Sequence, residues 1–209
     1  MRRWLPRVMF ESLMILFSVL VALVLNEWRE NRQMRRHIAE ARVSFAEELR
    51  RNRETLASPA FLPYHTRMLA RYRRLGAMRN PTVQDADAIW ADFPQGVNMI
   101  RLRDAVWRSL SGSDLMGRMP AREVFLLADV YRQQEEIDDF NRAMYSAWRE
   151  AHAEWAEPAY VHDQIRSTGA YLGDVVSAEQ RLLALYDRAL RQLDAPPAST
   201  ALDAVPRRP

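Results

Sequence analysis

Apolar residues occupy the chain from Leu13 to Leu25 with one break, Ser18, and the run stops abruptly at Asn26-Glu27-Trp28-Arg29. Beyond it the pattern changes from continuous to periodic. Met34, Ile38, Ala41, Phe45, Leu49 and Leu56 recur at helical spacing as a narrow stripe, so the same helix is predicted to continue to about residue 56. Ser58-Pro59 and Pro63 punctuate the next junction. A helix over 64–78 then carries Met68, Leu69, Tyr72 and Leu75 inward, and Thr82 with Asp85 has the form of a capping box for a short helix through Trp90. Residues 99–111 are expected to be helical and SGSDLMGRMP to be a loop. Pro120 opens a long helix to about residue 156, which Pro158 breaks or kinks. A helical turn or two over 159–168 follows. Ser177 with Gln180 resembles a second capping box, for a final helix ending near Leu193. The stretch 194–209, rich in Pro and Ala, is expected to be disordered. The predicted fold is all-α: an N-terminal transmembrane helix continuing into an irregular antiparallel helical bundle.

The opening apolar run is a core helix, a signal peptide or a membrane anchor. A core helix would show a polar face, and this segment is apolar around its circumference. A signal peptide would end in a small-x-small cleavage site, and Asn-Glu-Trp-Arg stands there instead. The expectation is therefore an uncleaved single-pass anchor, with a basic N-terminus at 1–7, the spanning helix at 8–28, a helical domain at 29–193 and the tail at 194–209. Trp4 and Trp28 are 24 residues apart, roughly 36 Å along a helix, which suits two aromatic rings at opposite membrane interfaces. Arg7 and Glu11 would sit at one interface and Arg29 at the other. The compact, acid-free basic cluster at the start favours an N-terminus in the cytoplasm and a periplasmic domain on a bacterial inner membrane.

Composition narrows the chemistry. There is no Cys and no Lys, so all 30 basic residues are Arg, and disulfides, thiolate metal sites and thiol catalysis are excluded. The net charge of +3 hides a gradient: residues 59–79 hold five Arg and no acid, and residues 120–157 hold nine acids against four Arg. Such segments can neutralise each other, and the acidic cluster Glu135, Glu136, Asp138, Asp139 is expected to pair with the Arg-rich second helix. No nucleic-acid partner is expected, because that would need an uncompensated basic face. The four His (His37, His65, His152, His162) show no metal-ligand spacing, and neither a Gly-rich phosphate loop nor G-x-S-x-G occurs. No catalytic residue, cofactor or metal is expected.

VLVALVLNEWREN, AEELRRN, LPYH, VWRSLSGSDLMGRMP and VYRQQEEIDDF together resemble a widespread group of bacterial single-pass membrane proteins known only as a domain of unknown function. The resemblance covers roughly residues 8–145. The matching positions here are Asn26, Trp28, Glu30, Glu48, Leu49, Asn52, Trp107, Ser111, Gly112 and Tyr131. The resemblance implies an architecture and no activity. Trp28, Glu30, Glu48, Asn52, His65, Trp107 and Tyr131 form the candidate set, either as packing that fixes the bundle or as a partner surface. Three functions stay open: a non-enzymatic accessory or scaffold subunit with the lipid bilayer and a protein or a second copy as partners, an extracytoplasmic ligand-sensing bundle, or an enzyme with an unfamiliar site.

Overall fold

The computed structural model describes residues 5–151 and 161–195. Among the described residues all regular structure is helical. The elements are α1 (Leu5–Ala57), α2 (Leu62–Gly76), α3 (Val83–Asp92), α4 (Ala105–Leu110), α5 (Asp114–Arg118), α6 (Ala121–Ala151) and α7 (Val161–Asp194). The chain divides into two compact units, Met1–Val43 and Ser44–Pro209, so the boundary falls inside α1.

The first unit is helix alone. Ile15, Leu16 and Phe17 are 67%, 57% and 61% exposed. Consecutive helical residues point about 100° apart, so no side of this apolar cylinder is covered. Among the described residues, however, no helix is long and apolar enough to cross a membrane. The stretch clear of charge between Glu11 and Glu27 is shorter than the roughly 20 apolar residues that a span needs. The expected helix over 8–28 is present; its membrane span is not a property that the fold displays. Trp4 lies outside the described residues.

The second unit is built around α7. It packs against both α2 and α6. On one side Met68, Leu69, Tyr72 and Leu75 of α2, Ile89 of α3 and Phe93 meet Ile165, Leu172 and Val176 of α7. On α6, Leu127, Val130 and Ile137 are buried, as are Leu182 and Tyr186 on α7. Gly169 sits where α2 approaches closely: an added Cβ would lie 3.6 Å from Tyr72 Cβ. Gly96, at φ 62°, turns the chain after α3 in a conformation that disfavours side chains.

Local chemistry explains most element ends. The Thr82 hydroxyl accepts from Asp85 N–H while Asp85 accepts from Thr82 N–H, completing the expected capping box. Pro63 stands in the first turn of α2, where its missing N–H costs nothing. Three expectations are corrected. The second proposed capping box does not exist, because α7 runs unbroken through Ser177, whose hydroxyl donates to the Gly173 carbonyl 2.7 Å away inside the helix. The helix expected over 99–111 begins only at Ala105, and the loop expected after it contains α5. The acids of α6 do not need α2: Glu136 pairs with Arg181 of α7 at 3.0 Å, and Asp139 with Arg142 on its own helix. The kink at Pro158 and the tail from residue 196 fall outside the described residues.

Candidate functional site

Residues 96–104, between α3 and α4, form an extended strap. A buried backbone must find partners for its N–H and C=O groups, and a strap without helical or sheet hydrogen bonds has to take them from side chains. Those partners come from three helices.

From α1, Asn52 Nδ2 donates to the Arg103 carbonyl at 2.7 Å, and Asn52 Oδ1 accepts from Arg103 N–H at 2.8 Å. One turn earlier, Glu48 Oε2 accepts from Val106 N–H at 3.1 Å, in the first turn of α4. Asp104, at the capping position of α4, makes no cap hydrogen bond and is instead paired with Arg108 at 2.6 Å. Glu48 therefore supplies the cap from another helix, where a carboxylate also meets the positive end of the helix dipole.

From α2, Tyr64 hydroxyl donates to the Gly96 carbonyl at 2.9 Å, and His65 Nε2 to the Asn98 carbonyl at 2.9 Å. From α6, Asn141 Nδ2 donates to the Ile100 carbonyl at 3.2 Å. Asn98 also reaches back, donating to the Ala60 carbonyl at 3.1 Å. Four of its carbonyls and the Arg103 N–H are committed sideways, which opposes extending α4 back through it.

Two polar clusters lie under the strap. In the first, Tyr131 hydroxyl donates to Glu48 Oε1 at 2.7 Å, and its ring stacks on Trp107 at 4.9 Å between centroids. Beside them Gln134 Nε2 donates to Tyr186 hydroxyl at 2.7 Å. Burial raises the Tyr131 pKa above the usual phenol value, and hydrogen bonding to the Glu48 carboxylate raises it further. Burial also raises that of Tyr186. Both remain protonated donors or acceptors, and neither is poised to ionise near neutral pH.

In the second cluster His65 Nδ1 lies 2.8 Å from Glu179 Oε1, with both side chains almost wholly buried. Nε2 faces a carbonyl, so it is the donor there, and Nδ1 faces the carboxyl group. Tyr64 and Phe61 pack edge-on against the imidazole. Glu179 Oε2 and Tyr171 hydroxyl are buried without hydrogen-bond partners among the described residues. Tyr171 is pushed up to about 12, by burial first and by the Glu179 charge second.

The candidate residues thus separate. Glu48, Asn52, Trp107 and Tyr131 come together; His65 belongs to the second cluster. Glu30 and Trp28 have partners within the first unit: Asn26 Nδ2 donates to Glu30 Oε1 at 2.9 Å, and the Arg32 guanidinium lies 5.4 Å from the Trp28 ring centre. Glu11 and Arg29 also lie in the first unit and are solvent-exposed. The side chain of Arg7 is not among those described.

Sequence reasoning missed Glu179, Asn98, Asn141 and Tyr64. For Glu179 a signal was present, a carboxylate inside the inward stripe Leu172, Val175, Val176, Leu182, Tyr186. Nothing marks Asn141.

An open groove of about 590 Å³ runs beside the first cluster, with Trp107, Arg108, Tyr131, Gln134 and Asp138 in its walls. It adjoins a second of about 590 Å³ between Ile100, Arg101, Asn141 and Tyr145, sharing Asp138 and Arg142. Partial desolvation there raises the Asp138 pKa above the usual carboxylate value, with Arg142 opposing. His65 is in neither wall. Among the described residues no group of three or more His, Asp or Glu is placed to hold a metal ion.

No protein-family model, no curated protein and no solved structure matches the chain.

Proposed function

We propose that this chain is a single-pass inner-membrane protein whose helical domain is non-enzymatic and serves as an accessory or scaffold subunit of a membrane complex. The observation that carries the reading is the apolar cylinder from Leu13 to Leu25, exposed on every side. Soluble proteins do not leave such a surface in water, and lipid covers it without requiring a complementary shape. Counted from Val8 to Leu25, the segment holds one charge, Glu11. Glu11 stands near the end of the segment, where a carboxylate can reach the interface. Trp28 then marks the far interface. The compact, acid-free basic cluster of Arg2, Arg3 and Arg7 supports an N-terminus in the cytoplasm and a periplasmic domain.

The non-enzymatic part of the reading draws on how the buried polar groups are used. Glu48, Asn52, Tyr131 and His65 spend hydrogen bonds on the strap, on the first turn of α4, on Glu179 and on each other. A catalytic group must keep capacity for a substrate. The grooves along α6 offer a partner protein Trp107 and Tyr145 among paired charges, a mixture typical of protein contact surfaces.

The test is recovery of the full-length protein from its native membrane by mild-detergent pull-down and mass spectrometry. A variant with Leu16→Arg and Leu20→Arg serves as the comparison. The expected result is carbonate-resistant membrane association and a stoichiometric partner, both lost in the variant. Release of the wild type by carbonate overturns the anchor. Recovery of the protein alone overturns the accessory-subunit role.

A further inference from the structure

We propose that the α1 face carrying Trp28, Arg29, Arg32, Arg35 and Arg36 binds the phosphate head groups of anionic phospholipids, an inference that rests on the membrane attachment proposed above. At about 100° per residue, these five side chains fall within roughly 120° of the helix circumference. Glu27 and Glu30 project from the opposite side. The Asn26–Glu30 hydrogen bond of 2.9 Å holds that carboxylate on its own face, away from the arginines. Over residues 29–40 four Arg against Glu30 and Glu40 leave a charge of +2, with the four Arg on one side.

The arrangement has a shape as well as a sign. Arg32 lies over the Trp28 ring, at 5.4 Å from its centre. A shallow groove of about 500 Å³ runs along the same face, bordered by Trp28, Arg29, Arg32 and Arg36, with Glu40 in its wall at the end farther from the apolar run. Guanidinium groups meet phosphate oxygens through paired N–H donors, a geometry that ammonium groups lack. The last residue of the apolar run, Leu25, precedes Trp28 by three positions, about 4.5 Å of helix. That places the arginines at head-group depth whenever the apolar run is in lipid. A soluble acidic partner would not need this register with the apolar run, and an anionic lipid does.

The experiment uses the full-length protein, a triple variant Arg29→Gln, Arg32→Gln, Arg36→Gln, and a control of equal charge change on the second unit, Arg73→Gln, Arg74→Gln, Arg79→Gln. Flotation with neutral phosphatidylcholine vesicles reports attachment. Native mass spectrometry from mixed phosphatidylcholine–phosphatidylglycerol nanodiscs reports which lipid is retained. The expected result is flotation of all three proteins and a roughly tenfold preference for phosphatidylglycerol in the wild type and control, abolished in the triple variant. Flotation with an unchanged preference in the triple variant overturns this inference and leaves the attachment standing. Displacement of the lipid by millimolar inorganic phosphate overturns it too, since the face would then be a site for free anions. Failure to float on neutral vesicles overturns the attachment, and the inference with it.

Discussion

Asn52 holds Arg103 by both of its backbone polar groups, accepting from the N–H at 2.8 Å and donating to the carbonyl at 2.7 Å. A side-chain amide here does what a neighbouring strand does in a sheet. No other common side chain of that length offers a donor and an acceptor side by side, apart from the longer Gln. Asn52→Ala leaves both groups of Arg103 without partners and is expected to cost about 2–4 kcal/mol. Asn52→Asp keeps the acceptor, sets a carboxylate oxygen against a carbonyl, and is expected to be no better. Thermal unfolding of the full-length protein followed by circular dichroism distinguishes these outcomes from a surface role, for which both changes would be near neutral.

Glu48 adds to the burial that raises the Tyr131 pKa. Burial is the largest cause of the raised pKa, followed by the hydrogen bond to Glu48 and its charge. Glu48→Gln is expected to lower the Tyr131 pKa while leaving it above the ordinary phenol value, because burial persists. Ultraviolet absorbance during alkaline titration, with Tyr131→Phe to identify the transition, gives the measurement. An unchanged transition would mean that the hydroxyl does not face the carboxylate.

Tyr72 supplies a prediction about alkaline stability. Burial pushes its pKa up to about 12 from 10.0. The folded state therefore disfavours the phenolate. Its contribution is fully present below pH 10 and is lost as the pH rises to 12. Replacing Tyr72 by Phe is expected to leave the melting temperature at neutral pH almost unchanged and to reduce the fall in stability between those limits. Melting curves across that range decide it. An equally steep loss in the variant would assign the effect to other groups.

Thr82 and Ser177 look alike in sequence and differ in structure. Thr82→Ala removes a cap and is expected to cost about 1 kcal/mol. Ser177→Ala, inside α7, is expected to be neutral or slightly stabilising. The Thr82 hydroxyl and N–H hold the Asp85 carboxyl below its ordinary value. A depressed pKa contributes stability above the unfolded value of 3.8, and this is lost as pH falls through the folded value. Thr82→Ala is therefore expected to flatten the acid limb of the stability profile.

The sequence made much of this architecture readable, for reasons that also explain the failures. Helical periodicity located α1, α2 and α6, since each presents an inward stripe at regular spacing, and the capping box located α3. The Thr82–Asp85 box was legible because both partners lie within one turn. Ser177-x-x-Gln180 was misleading because Gly169 and Gly173 imitate a break, whereas tertiary packing on Tyr72 carries the helix through. The strap was misread as helix because its apolar spacing is helical while its backbone partners lie on other elements. Asn52 and Glu48 could be singled out, but their role depends on Arg103 and Val106, 51 and 58 residues away.

The clamps on the strap also set an order of events during synthesis. Asn52 meets its partner 51 residues later, Glu48 meets Tyr131 after 83, and His65 meets Glu179 after 114. None is satisfied while the N-terminal helices are emerging from the ribosome. The amide is satisfied once the strap arrives and the carboxylate once α6 does, but the imidazole must remain hydrated until α7 arrives, and closing such long loops is slow. The second unit is thus completed late, by its last helix, while the apolar segment is synthesised first. A nascent chain halted before Glu179 would still be open, a state suited to chaperone capture and sensitive to protease.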